Sequence, residues 1–267
     1  MRWLAAITLA AVVLGGCQKE ALVYERALDD GPSFSAYLVS YESAGLKVHA
    51  MVAVPKMDMP DGGFPVVVAN HGYVPDPTRY GITAEGIDSR PGDYYRSVPE
   101  LYTSRGFLVI LPDYRGHNSS EGFEFTQRKD AIEFYADDVV ALMAGFDEIA
   151  DADMSKVFMW SHSMGGPVTM RALLDTDFVK GASFWATSSL ADQEARLKGL
   201  RVPLMIQHAR GDTSTDSSNS EDLAAALEKG SQPIVLYSYD GSDHYFEGEM
   251  RELAADRDVA FFRSIAE

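Results

Sequence analysis

One serine stands in a turn of small residues directly after an apolar run. Residues 157–166 read Val-Phe-Met-Trp-Ser-His-Ser-Met-Gly-Gly, which is typical of a strand that delivers Ser163 into a tight turn before a helix. Such a turn strains the serine backbone and exposes its hydroxyl, and small residues two positions to either side prevent collisions between strand and helix. Those positions hold Ser161, a departure from the usual glycine, and Gly165. The pattern predicts a nucleophile; an ordinary strand-to-helix turn is the alternative.

A serine hydroxyl is a weak nucleophile and needs a base that a third group orients. His244 follows the last apolar run that is predicted to be a strand, and Asp212 follows an earlier one. Each interval along the chain leaves room for about one helix and one strand. We therefore predict Ser163 as nucleophile, His244 as general base and then acid, and Asp212 as the orienting carboxylate. Asp216, further along the same loop, is the alternative acid.

Five other histidines are less suited to be the base, because none follows the last predicted strand. One of them lies in an early strand and is expected at the surface, and the others are expected in turns or at strand exits. They are, in chain order, His49, His71, His117, His162 and His208.

The reaction also needs two donors for the negative oxygen of a tetrahedral intermediate. One is normally the backbone N–H of the residue after the nucleophile, here Met164. The second usually comes from the loop after the third strand, which begins His71-Gly72-Tyr73. Gly72 lets the backbone approach closely, and Tyr73 can donate its N–H or its hydroxyl. A plain turn is the alternative for this loop.

The elements that must position these residues alternate between strands and helices. Most of the strands are continuous apolar runs, which favour parallel strands covered on both faces. Such alternation predicts a doubly wound α/β sheet that binds ligands at the carboxyl ends of its strands. The candidate strands are residues 34–41, 46–54, 65–69, 107–111, 157–160, 181–185, 202–207 and 233–239, and the candidate helices are residues 94–104, 129–149, 164–174, 221–229 and 249–265.

From residue 65 onward the chain resembles the α/β-hydrolases of the prolyl-oligopeptidase (S9) and dienelactone-hydrolase type. The resemblance is carried by the loop at residues 71–73, the nucleophile turn, and the segments that hold Asp212 and His244, together with residues 105–117. It implies the α/β-hydrolase fold, with a mostly parallel eight-stranded sheet, helices on both faces and a small or absent lid. It also implies that the strand-exit segment at residues 113–116 is structural.

The resemblance implies a serine hydrolase that works through an acyl-enzyme. Proteolytic members of the family often carry a large N-terminal propeller, and too few residues precede residue 34 to form one. We therefore expect ester hydrolysis rather than peptide hydrolysis. A peptidase or amidase that acts on short peptides is the alternative, and a non-catalytic protein of the same fold is a further one. A thiol hydrolase is disfavoured because the sole cysteine is Cys17.

The N-terminus predicts export and a lipid anchor. Arg2 precedes an apolar stretch that is too short for a membrane span, which is typical of a signal peptide over residues 1–16. Residues 14–17 read Leu-Gly-Gly-Cys and resemble the bacterial lipobox, which implies lipidation of Cys17. Gln18 follows, and the resemblance then implies sorting to the outer membrane, facing the periplasm. Residues 17–33 are expected to be a linker, and residues 34–267 the hydrolase domain.

Charge and composition narrow the range of partners. A formal net charge of −17 argues against nucleic acid or anionic lipid as ligands, since both would be repelled. No pair of histidines has a metal-ligand spacing such as H-E-x-x-H. The sequence therefore predicts no metal and no cofactor, a small ester or a short peptide as substrate, and contact with the membrane only through the anchor at Cys17.

Overall fold

The computed structural model describes residues 21–80, 91–188, 200–230 and 233–266. The predicted signal peptide and Cys17 lie outside these residues. Nine strands form one sheet. Their bounds are β1 Leu22–Ala27, β2 Phe34–Ser43, β3 Leu46–Pro55, β4 Phe64–Asn70, β5 Leu108–Pro112, β6 Ala152–His162, β7 Val179–Trp185, β8 Leu204–Ala209 and β9 Ile234–Tyr239.

The sheet is mixed, with the order β1-β2-β3-β5-β4-β6-β7-β8-β9. The pairs β1–β2, β2–β3 and β3–β5 are antiparallel, and the pairs from β5 through β4 to β9 are parallel. The strands predicted to bear Ser163, Asp212 and His244 at their exits all belong to the parallel part. Their carboxyl ends therefore meet at one edge of the sheet.

The helices cover both faces of the sheet, as predicted. The described helices are α1 Pro77–Tyr80, α2 Pro91–Arg96, α3 Val98–Thr103, α4 Ala131–Met143, α5 Gly165–Leu174, α6 Ser218–Lys229 and α7 Gly248–Ala266. Helices α4, α5 and α6 contribute to one hydrophobic core, and α3 and α7 to a second one.

The two cores follow from the twofold repeat of a strand. In β6, Val157 and Met159 belong to the core with α4 and α5, whereas Phe158 and Trp160 belong to the core with α3 and α7. Successive side chains of a strand point to opposite faces, so a strand covered on both faces must be apolar throughout. This explains why the run before Ser163 is continuously hydrophobic.

The sheet has one strand more than predicted, because part of the expected linker is β1. Leu22–Ala27 pairs with β2 and forms the outer edge of the sheet. Leu22 is buried in the core, and the backbone N–H groups of Ala21 and Leu22 donate to the carboxylate of Glu148 at 2.7 and 2.8 Å. Leu22 is the strand's only buried residue, so the segment carries little of the apolar signal that marks a strand.

The segment after β5 contains a buried ion pair. The Arg115 guanidinium donates to both carboxylate oxygens of Asp138 on α4, at 2.6–3.1 Å, and the Arg115 N–H donates to the same carboxylate at 2.7 Å. Both side chains are almost fully buried. Removing one partner of such a pair typically costs about 3–5 kcal/mol, since an uncompensated charge remains. These contacts fit the structural role implied for residues 113–116.

A second buried acid anchors α7 to the sheet. The Asp258 carboxylate accepts hydrogen bonds from Ser183 (2.5 Å), Tyr102 (2.7 Å), Trp185 (2.8 Å) and Gln207 (2.7 Å). Burial raises the pKa of Asp258 to about 7, although the four donors oppose the shift. The network therefore ties α7 to β7, β8 and α3.

No helix within the described ranges is long and apolar enough to cross a membrane. The segments that follow β4 and β7, residues 74–99 and 187–200, each include residues outside the described ranges. The predicted small or absent lid therefore stays a prediction.

Candidate active site

The turn that carries Ser163 lies between β6, which ends at His162, and α5, which begins at Gly165. Ser163 has φ = 55°, in the left-handed region where the backbone of residues other than glycine is strained. Its N–H donates to the Trp185 carbonyl on β7 at 3.0 Å, and its own carbonyl accepts from the Gly166 N–H at 3.0 Å. These bonds hold the strained residue at the end of the sheet, where it is partly exposed.

The two small positions around Ser163 differ in how strictly they limit size. A Cβ atom on Gly165 would lie 2.0 Å from the Asn70 carbonyl oxygen, so the close approach of α5 to the loop after β4 requires glycine. Ser161 is buried and donates its hydroxyl to the Ser183 carbonyl at 3.3 Å. The position therefore accommodates a small polar side chain that has a partner, which explains the departure from glycine.

Asp212 and His244 meet at the exits of β8 and β9. The His244 Nδ1 atom lies 2.7 Å from Asp212 Oδ2, and Asp212 Oδ1 accepts the backbone N–H groups of Ser214 and Thr215 at 2.7 and 3.1 Å. Burial alone would raise the pKa of Asp212, but the bonds from His244, Thr215 and Ser214 hold it below its usual value. The carboxylate is thus ionised at neutral pH and oriented toward the imidazole.

Asp216, the alternative acid, lies away from this pair. Its carboxylate is exposed and accepts the backbone N–H of Ser218 at 2.9 Å, at the start of α6. This bond lowers the pKa of Asp216. The geometry thus brings His244 together with the predicted carboxylate, whereas the alternative binds the first residue of the neighbouring helix.

Thr215 is a residue of the site that was not predicted from the sequence. Its hydroxyl lies 2.9 Å from Asp212 Oδ2, 3.0 Å from the Ala186 carbonyl and 3.3 Å from His244 Nδ1. In a common type of turn, an aspartate side chain accepts hydrogen bonds from the backbone N–H groups two and three residues later. The Asp-x-x-Thr spacing from residue 212 was therefore the available signal.

His208 packs beside Asp212 as a neutral ring. Its Nε2 atom lies 3.1 Å from the Thr215 carbonyl and 3.3 Å from Asp212 Oδ2, and its Nδ1 atom lies 2.6 Å from the Ser220 hydroxyl. Burial holds the pKa of His208 below its ordinary value. As expected for a strand-exit histidine, the ring supports the backbone of the Asp212 loop.

The loop after β4 lies directly against the nucleophile turn. A Cβ atom on Gly72 would lie 3.0 Å from the Ser163 Cβ atom and 3.0 Å from the His162 carbonyl oxygen, which is tighter than ordinary contact, so glycine favours this approach. Tyr73 follows and is 65% exposed, and Met164 directly precedes α5. The two predicted oxyanion donors thus belong to neighbouring segments on the same side of the sheet.

The remaining histidines are buried. His71 stacks on Tyr114 with ring centroids 4.2 Å apart, and burial lowers the pKa of His71 to about 4 and that of His117 to about 3. His49 was expected at the surface, and this expectation was wrong: it is 7% exposed. The cause is its position on β3, which lies inside the sheet between β2 and β5.

Within residues 21–80, 91–188, 200–230 and 233–266, no group of three or more His, Cys, Asp or Glu side chains is arranged to hold a metal ion.

Comparison with protein families yields a match to a model described as serine aminopeptidase, S33, over residues 84–194. The matched segment is less than half of the chain and includes the nucleophile turn. No curated protein matches the sequence.

Several solved structures resemble the fold. Acylaminoacyl peptidase from Pyrococcus horikoshii has a TM-score of 0.70 and 16% identity, over 88% of this chain and 42% of its own. A Klebsiella pneumoniae protein assigned as a dienelactone hydrolase has a TM-score of 0.67 and 16% identity, over 86% and 99% of the two chains. An acetyl xylan esterase from Paenibacillus sp. R4 has a TM-score of 0.64 and 16% identity, over 93% and 90%.

The chain spans about two fifths of the length of the peptidases that it resembles. At these identities the likeness concerns the fold, and it confirms the fold class predicted from the sequence.

Proposed function

We propose that this chain, which has the α/β-hydrolase fold and the site architecture of a serine hydrolase, cleaves carboxylic esters of small or medium size through an acyl-enzyme. The observation that carries the proposal is the 2.7 Å hydrogen bond between Asp212 and His244, formed at the same edge of the sheet as the strained turn of Ser163. A nucleophile, a base and an orienting carboxylate are the three parts that such a reaction needs.

The proposed reaction begins with proton transfer to His244. Because Nδ1 donates to Asp212, Nε2 is the ring nitrogen that takes the Ser163 proton while the serine oxygen bonds to the ester carbonyl carbon. The tetrahedral oxyanion binds the Met164 N–H and Tyr73. When the carbon–oxygen bond to the alcohol breaks, His244 returns the proton to the leaving alkoxide. Water, deprotonated by His244, then attacks the acyl-enzyme, and Ser163 recovers its proton as the acid leaves.

We prefer esters as the substrate class because the solved structures that this chain covers along nearly their whole length include an esterase, whereas it covers less than half of each peptidase. The chain covers 90% of the acetyl xylan esterase and 99% of the assigned dienelactone hydrolase, but only 36–42% of peptidases such as those from Pyrococcus horikoshii and Porphyromonas gingivalis. The serine aminopeptidase family match favours the second candidate, a peptidase or amidase acting on short peptides. The same residues would serve both reactions.

A substrate panel tests this choice. We expect p-nitrophenyl acetate and butyrate to be hydrolysed with kcat/KM at least about tenfold above that of aminoacyl p-nitroanilides, since kcat/KM is the measure of discrimination between substrates. A fluorophosphonate probe should label the purified protein in the same samples. Preference for the anilides would favour the peptidase, and absence both of labelling and of turnover would favour a non-catalytic protein.

We also propose that the enzyme is exported and held at the bacterial outer membrane, facing the periplasm, by a lipid on Cys17. Support comes from the sequence of residues 1–17 alone. In a bacterial host that is fed radioactive palmitate, we expect the wild-type chain to incorporate label and to sediment with membranes. Cys17→Ser should do neither, because it lacks the acceptor thiol. Equal labelling of the two chains would contradict the anchor.

A further inference from the structure

A buried pair of side chains connects the segments that hold the proposed nucleophile and base. The Tyr95 hydroxyl on α2 lies 2.8 Å from His162 Nδ1, and His162 Nε2 lies 2.8 Å from the backbone carbonyl oxygen of His244. Tyr95 and His162 are 1% and 0% exposed. From the sequence alone, His162 is only a residue of the turn and has no predicted role.

The direction of each hydrogen bond follows from the neutral state of His162. Burial, assisted by the nearby His244, lowers the pKa of His162 to about 3, so the ring carries one N–H at neutral pH. A carbonyl oxygen can only accept a hydrogen bond. Nε2 of His162 therefore carries the proton and donates a hydrogen bond to the backbone carbonyl oxygen of His244. Nδ1 is then an acceptor, and the Tyr95 hydroxyl donates to it.

His162 lies next to both the proposed nucleophile, Ser163, and the proposed base, His244. It immediately precedes Ser163 on the strained turn, and its ring lies 4.6 Å, centroid to centroid, from that of His244. Tyr95 is fixed on its other side by the loop after β4, where a Cβ atom on Gly72 would lie 2.3 Å from the tyrosine oxygen. The pair thus contacts three segments of the site from its buried side.

We propose that Tyr95 and His162 form a positioning bridge that sets the separation between the Ser163 hydroxyl and the His244 ring. The inference rests on the proposed function and deepens it. Asp212 binds only the imidazole of His244, which leaves the backbone of this loop residue to be fixed by other contacts. The bond from His162 holds that backbone, so the two bonds together hold both ends of the residue. Catalytic groups need this kind of support, since small displacements have large kinetic costs.

Three variants test the bridge. His162→Phe keeps a buried ring but removes the donor to His244, and Tyr95→Phe removes only the hydroxyl. We expect kcat for an ester to fall about 10- to 100-fold in His162→Phe, with a smaller fall in Tyr95→Phe. KM should stay within about twofold, because both side chains are buried. His162→Gln offers an amide N–H near the position of Nε2 and should recover much of kcat.

Tyr94→Phe is the matched control. Tyr94 is the neighbour of Tyr95 on α2, and its buried hydroxyl has no hydrogen-bond partner among the residues that the structure describes. Its removal should leave kcat unchanged, which separates loss of the bridge from a general disturbance of α2. Thermal melting of every variant shows whether it is folded. A folded His162→Phe with wild-type kcat would overturn the bridge, as would a folded His162→Gln no better than His162→Phe.

The protonation of His162 gives a readout that does not depend on activity. With histidine labelled by ¹⁵N, and the signal assigned as the one missing from His162→Gln, we expect the Nε2–H form without titration between pH 5 and 8. An Nδ1–H ring would contradict the bridge. A wild-type protein with the expected ring but no hydrolytic activity would instead contradict the proposed function. The two failures are therefore distinguishable.

Discussion

Replacing Ser163 by alanine is expected to lower kcat for ester hydrolysis by several orders of magnitude, on the order of 10⁴ to 10⁶. The variant lacks the oxygen that attacks the carbonyl, and His244 then has no hydroxyl to deprotonate. Only oxyanion binding and substrate positioning remain to assist attack by water. The measurement is kcat and KM with p-nitrophenyl esters, combined with fluorophosphonate labelling, which should disappear.

Ser155→Ala serves as the control for this substitution. Ser155 lies on β6, the strand that leads into the turn of Ser163, near its opposite end, and its hydroxyl donates to the carboxylate of Asp153 at 2.6 Å. It should retain wild-type kcat and labelling. Near-normal esterase activity in a folded Ser163→Ala would show that another group attacks the substrate.

The backbone order of the site could be predicted because strand periodicity and chain order carry it. A strand covered on both faces must be apolar throughout, so the run before Ser163 could be recognised as a strand. The exits of β8 and β9, which carry Asp212 and His244, follow in the expected order. β1 was hidden for the opposite reason. It buries Leu22 alone and depends on pairing with β2 and on Glu148, which is remote in sequence.

Contacts between side chains remote in sequence account for most of what was missed. Asp258 reads as an ordinary helix acid, yet its four donors come from α3, β7 and β8. His162 occupies a variable position of the turn, and its partners Tyr95 and His244 belong to other segments. Spacing along the chain cannot report such meetings, because only the packing of helices on the sheet creates them.

Replacing Asp212 by asparagine is expected to lower kcat by about 10³- to 10⁴-fold while the protein stays folded. Asparagine has nearly the same shape, and its carbonyl oxygen can still accept the backbone N–H groups of Ser214 and Thr215. Its amide, however, presents a donor to His244 Nδ1. The imidazole then carries its proton on Nε2, where it can no longer accept the proton of Ser163.

Asp216→Asn is the matched control, since it removes a carboxylate from the same loop. That carboxylate is exposed and contacts the start of α6, so kcat should change by less than about twofold. Steady-state kinetics on both variants, with melting curves to establish folding, separate the two carboxylates. Because Asp212 is ionised at neutral pH, the fall in kcat that Asp212→Asn causes should be equally large at pH 7 and pH 8. If the two variants lost activity equally, the orienting role would lie with the charge of the loop and not with the hydrogen bond from Asp212 to His244.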